Sequence, residues 1–156
     1  MKADPLLGAL EEVEHTHSSG LGLRRLVAAG LDRLPLPGSG QTLSRWRVLA
    51  EVSALDLSLA KLFEGHTDAL AILTELQGPD PEAGSLWGTW CAEPPDARLS
   101  IDRDASGRVR LRGRKAWCSG AAELSHALVS GWNCGGHPRL AAVALRQPGV
   151  TVTCEG

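Results

Sequence analysis

The hydrophobic spacing of this chain changes period once, and that change constrains the fold more than any single motif. As far as Leu76 the apolar residues recur every three or four positions; from Leu86 onward they alternate. Between the two regimes stands Gly78-Pro79-Asp80-Pro81, which stops a helix and starts nothing regular. The pattern predicts an α+β chain. Residues 1–84 form an N-terminal all-α helical domain. Residues 85–156 form a mostly antiparallel domain of β-barrel or sandwich type, with roughly five to seven strands.

Within the helical part, Leu6, Leu7, Leu10 and Val13 share one helical face, and Leu23, Leu26, Val27 and Leu31 share another, with a break near Ser18-Ser19-Gly20. Pro35 and Pro37 end regular structure before the Gly38-Ser39-Gly40 loop. The longest helix is expected over 42–64, capped by Thr42. Leu43, Trp46, Leu49, Val52, Leu55, Leu59 and Leu62 form its stripe. Gly65 is expected to end it, and His66 or Thr67 to open the next helix, in a capping role.

Beyond Leu86 the strands read in succession. Leu99 and Ile101 share a face over 98–102, Val109 and Leu111 share one over 108–112, and Asp104-Ala105-Ser106-Gly107 makes the hairpin turn between them. Further strands are expected at 126–132, at 140–145 and, from the alternation of Val150, Val152 and Cys154, at 150–154.

Composition excludes several classes. A net charge of -2 argues against nucleic acid or an anionic membrane as partner. No apolar run approaches the ~20 residues that span a bilayer, and Met1-Lys2-Ala3-Asp4-Pro5 lacks a signal-peptide apolar region, so a cytoplasmic location is the expectation. Cys91, Cys118, Cys134 and Cys154 have no metal-ligand spacing. His15 and His17 diverge on a helix and make a poor metal seed. Cys118 with His126 lacks any accompanying oxyanion-hole signature, so an inert thiol is the simpler reading. Arg108, Arg110, Arg112, Arg114 and Lys115 form a basic cluster without interleaved aromatics, which suits a solvated hairpin face better than a nucleic-acid surface.

Two segments carry a resemblance. Cys91-Ala92-Glu93-Pro94 precedes the hairpin, and Gly113-Arg114-Lys115-Ala116-Trp117-Cys118-Ser119-Gly120 follows it. In that order they resemble the T-E-P-x-x-G-S-D and G-x-K-x-W-I-T-N segments of the acyl-CoA dehydrogenase family of flavoproteins, whose N-terminal helical and middle β domains this chain is similar to. The resemblance implies FAD as cofactor, an acyl-CoA thioester as substrate, a homo-oligomer and an electron-transfer partner. It implies that Trp117 stacks on the flavin with Cys118 and Ser119 at the ring edge, and that Thr89, Trp90, Cys91 and Ala92 line the pyrimidine side. An isoalloxazine ring needs such a flat apolar neighbour with hydrogen-bond donors around it.

Departures accompany the match. Ala92 stands where the family has Thr, and Pro95-Asp96-Ala97-Arg98 interrupts the G-S-D portion. The family's catalytic base is a Glu in a C-terminal helical bundle. No carboxylate here matches it, so the chain reads as a truncated first half and no catalytic residue is assigned. The competing expectation is a non-catalytic interaction module that keeps the fold without binding flavin.

Overall fold

A computed structural model describes Gly8, Leu10, Val13 and residues 18–153. The predicted positions Leu6, Leu7, His15, His17 and Cys154 lie outside the described residues. The chain divides into two compact units, Met1–Trp87 and Gly88–Gly156.

The first unit contains α1 (Ser19–Ala28), α2 (Thr42–Leu55) and α3 (Leu57–Glu75). Ser18 caps α1 by accepting from the Leu21 amide. The helix closes on Gly30, whose positive φ lets the Leu31 amide reach the Leu26 carbonyl. Leu23, Leu26, Val52, Leu59 and Phe63 are fully buried and form the centre of this unit.

The expected 42–64 helix is two helices. Asp56 takes extended backbone, with φ -156° and ψ 120°, and serves both ends. Its amide closes α2 on the Val52 carbonyl, and its carboxylate accepts from the Leu59 amide at 2.5 Å to open α3. Conversely, Gly65, His66 and Thr67 do not begin a helix; they lie in the middle of α3. Gln41, not Thr42, precedes α2, and it makes no side-chain cap. The stripe on α2 is also displaced. Leu43 and Trp46 are exposed, while Arg45 and Val52 are buried. The reason is polar: the Arg45 guanidinium turns inward to Asp68 at 2.7 Å, Thr67 at 3.3 Å and the Pro35 carbonyl at 3.3 Å. A buried guanidinium must be paired, and here its partners fix the helix's rotation.

The sheet consists of β1 (Trp87–Trp90), β2 (Leu99–Arg103), β3 (Val109–Gly113), β4 (His126–Trp132) and β5 (Pro138–Ala144). It is mixed. β2 and β3 form the expected antiparallel hairpin, with Ile101 opposite Leu111, and β5 runs antiparallel along all of β4. β2 meets β4 in parallel through Ser100 and Trp132, and β1 also neighbours β4. Asp104 holds the hairpin turn, accepting at Oδ1 from the Ser106 hydroxyl and from the Ser106 and Arg108 amides, and at Oδ2 from Arg110. Gly113 is required at the hairpin's exit: its φ is 121°, and a Cβ there would stand 2.1 Å from the Arg98 carbonyl oxygen. Residues 150–153 form no strand, contrary to the alternation of Val150 and Val152.

Candidate functional site

Trp117 is the most exposed of the large aromatic side chains, at 73%. Its φ is +57°, in the left-handed region that a side chain with a Cβ enters at a cost of about 1–2 kcal/mol. It does not sit on a strand. Residues 114–118 form an irregular segment between the end of β3 and the turns that begin at Ser119.

Two cross-links tie this segment to the one that leaves β1. The buried Trp90 indole donates from Nε1 to the Ser119 carbonyl at 3.3 Å. That ring lies back over Gly88, where any Cβ would meet it at 2.8 Å. Three residues along, the Glu93 carboxylate faces the Lys115 ammonium at 3.5 Å. The pairings advance along one segment while they retreat along the other. Trp90 with Ser119 and Glu93 with Lys115 thus cross-link the two arms in opposite chain order. Of the seven positions singled out from the sequence, Thr89, Trp90, Cys91 and Ala92 lie on one arm and Trp117, Cys118 and Ser119 on the other, and the bond from Trp90 to Ser119 joins the two. Cys91, Ala92, Trp117 and Ser119 are exposed, Thr89 and Cys118 half-buried. Among the described residues, no acceptor engages the amides of Ala92, Trp117 or Ser119.

Behind the arms lies a polar cluster that the sequence did not reveal. Lys115 belongs to the basic cluster by sequence, yet its side chain is only 6% exposed. It directs its ammonium to the Ser130 hydroxyl at 2.8 Å, the Ser130 carbonyl at 3.0 Å and Glu93. Glu93 accepts in addition from Ser130 Oγ at 2.8 Å and Trp132 Nε1 at 2.5 Å. Ser130 Oγ also lies 3.2 Å from the Cys91 carbonyl, and the Arg98 guanidinium stacks 5.2 Å from the Trp132 ring centre. The indole and hydroxyl donors, with Lys115 adding to them, hold the Glu93 carboxyl below its ordinary value against the opposing effect of burial. Motif residues 93 and 115 are visible in the sequence. Their partners on β4 stand 15 to 39 positions away, with no local signal to mark them.

The other candidate side chains contact protein groups. Burial pushes the Cys118 thiol up, Lys115 opposing, and the thiol is turned to the Lys115 and Ala116 carbonyls. His126 places Nδ1 3.0 Å from Ser125 Oγ. His66 is buried in α3 rather than capping it. Its Nδ1 accepts from the Trp87 amide at 3.1 Å, which leaves Nε2 as the protonated nitrogen facing Asp32 at 3.3 Å. Burial raises the Asp32 carboxyl, but contact with His66 and the nearby Arg33 outweighs it and leaves Asp32 below its ordinary value. Within the basic cluster, Arg110 pairs with Asp104 and Arg114 with Asp96. No group of three metal-ligating side chains occurs among the described residues, and none of their helices is long and apolar enough to cross a membrane.

No protein-family model matches the chain, and no curated protein is similar to it in sequence. Solved structures are similar to it. TdsC from Paenibacillus sp. A11-2, in complex with FMN and indole, matches with a TM-score of 0.70 at 21% identity, over 94% of this chain and 44% of that one. The same TdsC is described as a dibenzothiophene monooxygenase. KijD3 in complex with dTDP matches with a TM-score of 0.69 at 22% identity, over 98% and 47%. The methanesulfinate monooxygenase MsuC from Pseudomonas fluorescens gives 0.62 at 21%, over 94% and 41%. At these identities the likeness establishes a shared fold, and the chain spans less than half the length of each match.

Proposed function

We propose that this chain is the flavin-binding portion of an oxidoreductase with the acyl-CoA dehydrogenase fold, residues 1–84 being its helical domain and 85–156 its middle β domain, a sheet that closes toward a barrel. One observation carries the reading: an exposed indole held in left-handed backbone beside a second arm whose own exposed residues are small. A soluble domain gains nothing from presenting Trp117 this way, since both the exposure and the backbone cost energy, and strain of this kind clusters where ligands are held.

The residues present fit a flavin. Trp117 offers a flat face, the unengaged amides of Ala92, Trp117 and Ser119 offer donors for a ring edge, and Ser119 adds a hydroxyl. When bound, the flavin would supply two-electron acceptance. The chain's own residues orient the ring and exclude water from one face. The motif implies FAD and an acyl-CoA thioester, with a homo-oligomer and an electron-transfer partner around it. A second reading, a flavin monooxygenase, is favoured by the likeness to TdsC, a dibenzothiophene monooxygenase solved with FMN.

Titration of the protein with FMN and with FAD tests the reading. A perturbed visible band and quenched flavin fluorescence are expected, and the tighter of the two ligands identifies the cofactor. Trp117→Gly should abolish the quenching without lowering the melting temperature, because glycine accepts the left-handed backbone. If neither flavin's spectrum responds, the chain is a non-catalytic interaction module that retains the fold.

A further inference from the structure

We propose that Glu93 and Lys115 are a positioning pair: they set the distance between the two arms and touch no ligand themselves. The inference rests on the flavin reading and adds a role that the motif residues alone do not reveal. Its basis is the arrangement of exposure and charge. Trp117, Ser119, Cys91 and Ala92 face outward, whereas Lys115 is almost wholly enclosed and Glu93 is 17% exposed. The pair stands one or two residues behind the candidate contacts on each arm. Its two members are already engaged with each other and with β4. All three ammonium hydrogens of Lys115 have acceptors, on Ser130 and Glu93. Both oxygens of Glu93 have donors, from Ser130, Trp132 and Lys115.

An enclosed ion pair is poor evidence for added stability, since apolar residues of similar volume often serve as well. What this pair does supply is registration. Ser130 and Trp132 belong to β4, the strand with β5 along its whole length, so the clamp refers both arms to the most extensively hydrogen-bonded strand of the sheet. Trp90 and Ser119 close the other end of the same apposition. Two fixed points define a spacing where one would leave a hinge, and a preorganised cradle loses less freedom when its ligand binds.

Lys115→Met and Glu93→Gln, singly and together, separate the possibilities in the full chain. Lys115→Met keeps an apolar stem of similar length. Glu93→Gln keeps an oxygen acceptor and loses the charge. Hydrogen exchange without ligand is expected to accelerate about tenfold or more at the Trp90 indole N–H, whose bond to the Ser119 carbonyl joins the arms, and to stay unchanged in β4 and β5, the scale of one lost charged hydrogen bond. FMN affinity should fall by a similar factor, with quenching incomplete at saturation. The double variant should be no worse than the weaker single one, because each removes the same pair. Unchanged exchange at the Trp90 indole N–H, additive losses, or exchange rising throughout the sheet with FMN binding intact each overturn the proposal. A wild-type protein that leaves both FMN and FAD unaltered overturns the flavin reading. The exchange data then tell that failure apart from a failure of the clamp.

Discussion

Glu93 and Gly113 show how single residues decide this structure. The folded-state value of the Glu93 carboxyl lies below the ordinary 4.5, so its contribution to stability is complete above about pH 4.5 and is lost as acidification passes through the lower folded value. Denaturation midpoints followed from pH 6 down to about pH 3 should therefore fall less steeply in Glu93→Gln than in the wild type. Asp32 and Asp104 are lowered too and should preserve part of the slope. At Gly113 the effect is steric. An added methyl would collide with backbone, not with a side chain able to move, and the φ of 121° is hostile to any Cβ. Gly113→Ala should cost about 2–4 kcal/mol by chemical denaturation. Gly107→Ala, with open space around it, should cost about 1 kcal/mol, from its φ of 83° alone. His66 needed no catalytic role to explain it: its two ring nitrogens are spoken for by Asp32 and the Trp87 amide.

At the scale of elements, ends matter more than interiors. α3 stops in a left-handed turn in which Gln77, at φ 52°, occupies the position that glycine favours, and the Gly78 amide reaches back to the Leu73 carbonyl at 2.8 Å. Gln77→Gly should raise stability by about 0.5–1 kcal/mol in thermal denaturation, because the left-handed backbone is retained without a Cβ. Asp56→Ala should lower it by about 1 kcal/mol through loss of the cap on α3. The existence of these helices was legible, and so was the hairpin, since its turn residues and its alternation agree within fifteen positions. The break at Asp56 was legible in principle, for an Asp three residues before Leu59 is a cap signature. It was masked by leucines that keep their spacing across the junction. The orientation of α2 was not legible at all, because Arg45 is turned inward by Asp68, 23 positions away.

For the molecule as a whole, the two units carry separate hydrophobic centres, Phe63 with Leu23, Leu26 and Leu59 in one, Leu124, Ala127, Leu128 and Ile101 in the other. Phe63→Ala should cost about 3–5 kcal/mol and show first as an early loss of helical circular dichroism. The sequence by itself determined the order of these units, the change from helix to sheet, the hairpin and the two motif segments, all of which follow from spacing and turn chemistry within short windows. Tertiary structure alone decided that the sheet is mixed, that Lys115 is enclosed while Trp117 stands in the open, and that Glu93 meets Lys115. The physical reason is range. Alternation and capping act over a few residues, whereas a buried charge or indole N–H must find its partner wherever the fold brings one, here on a strand as many as 39 positions further along the chain.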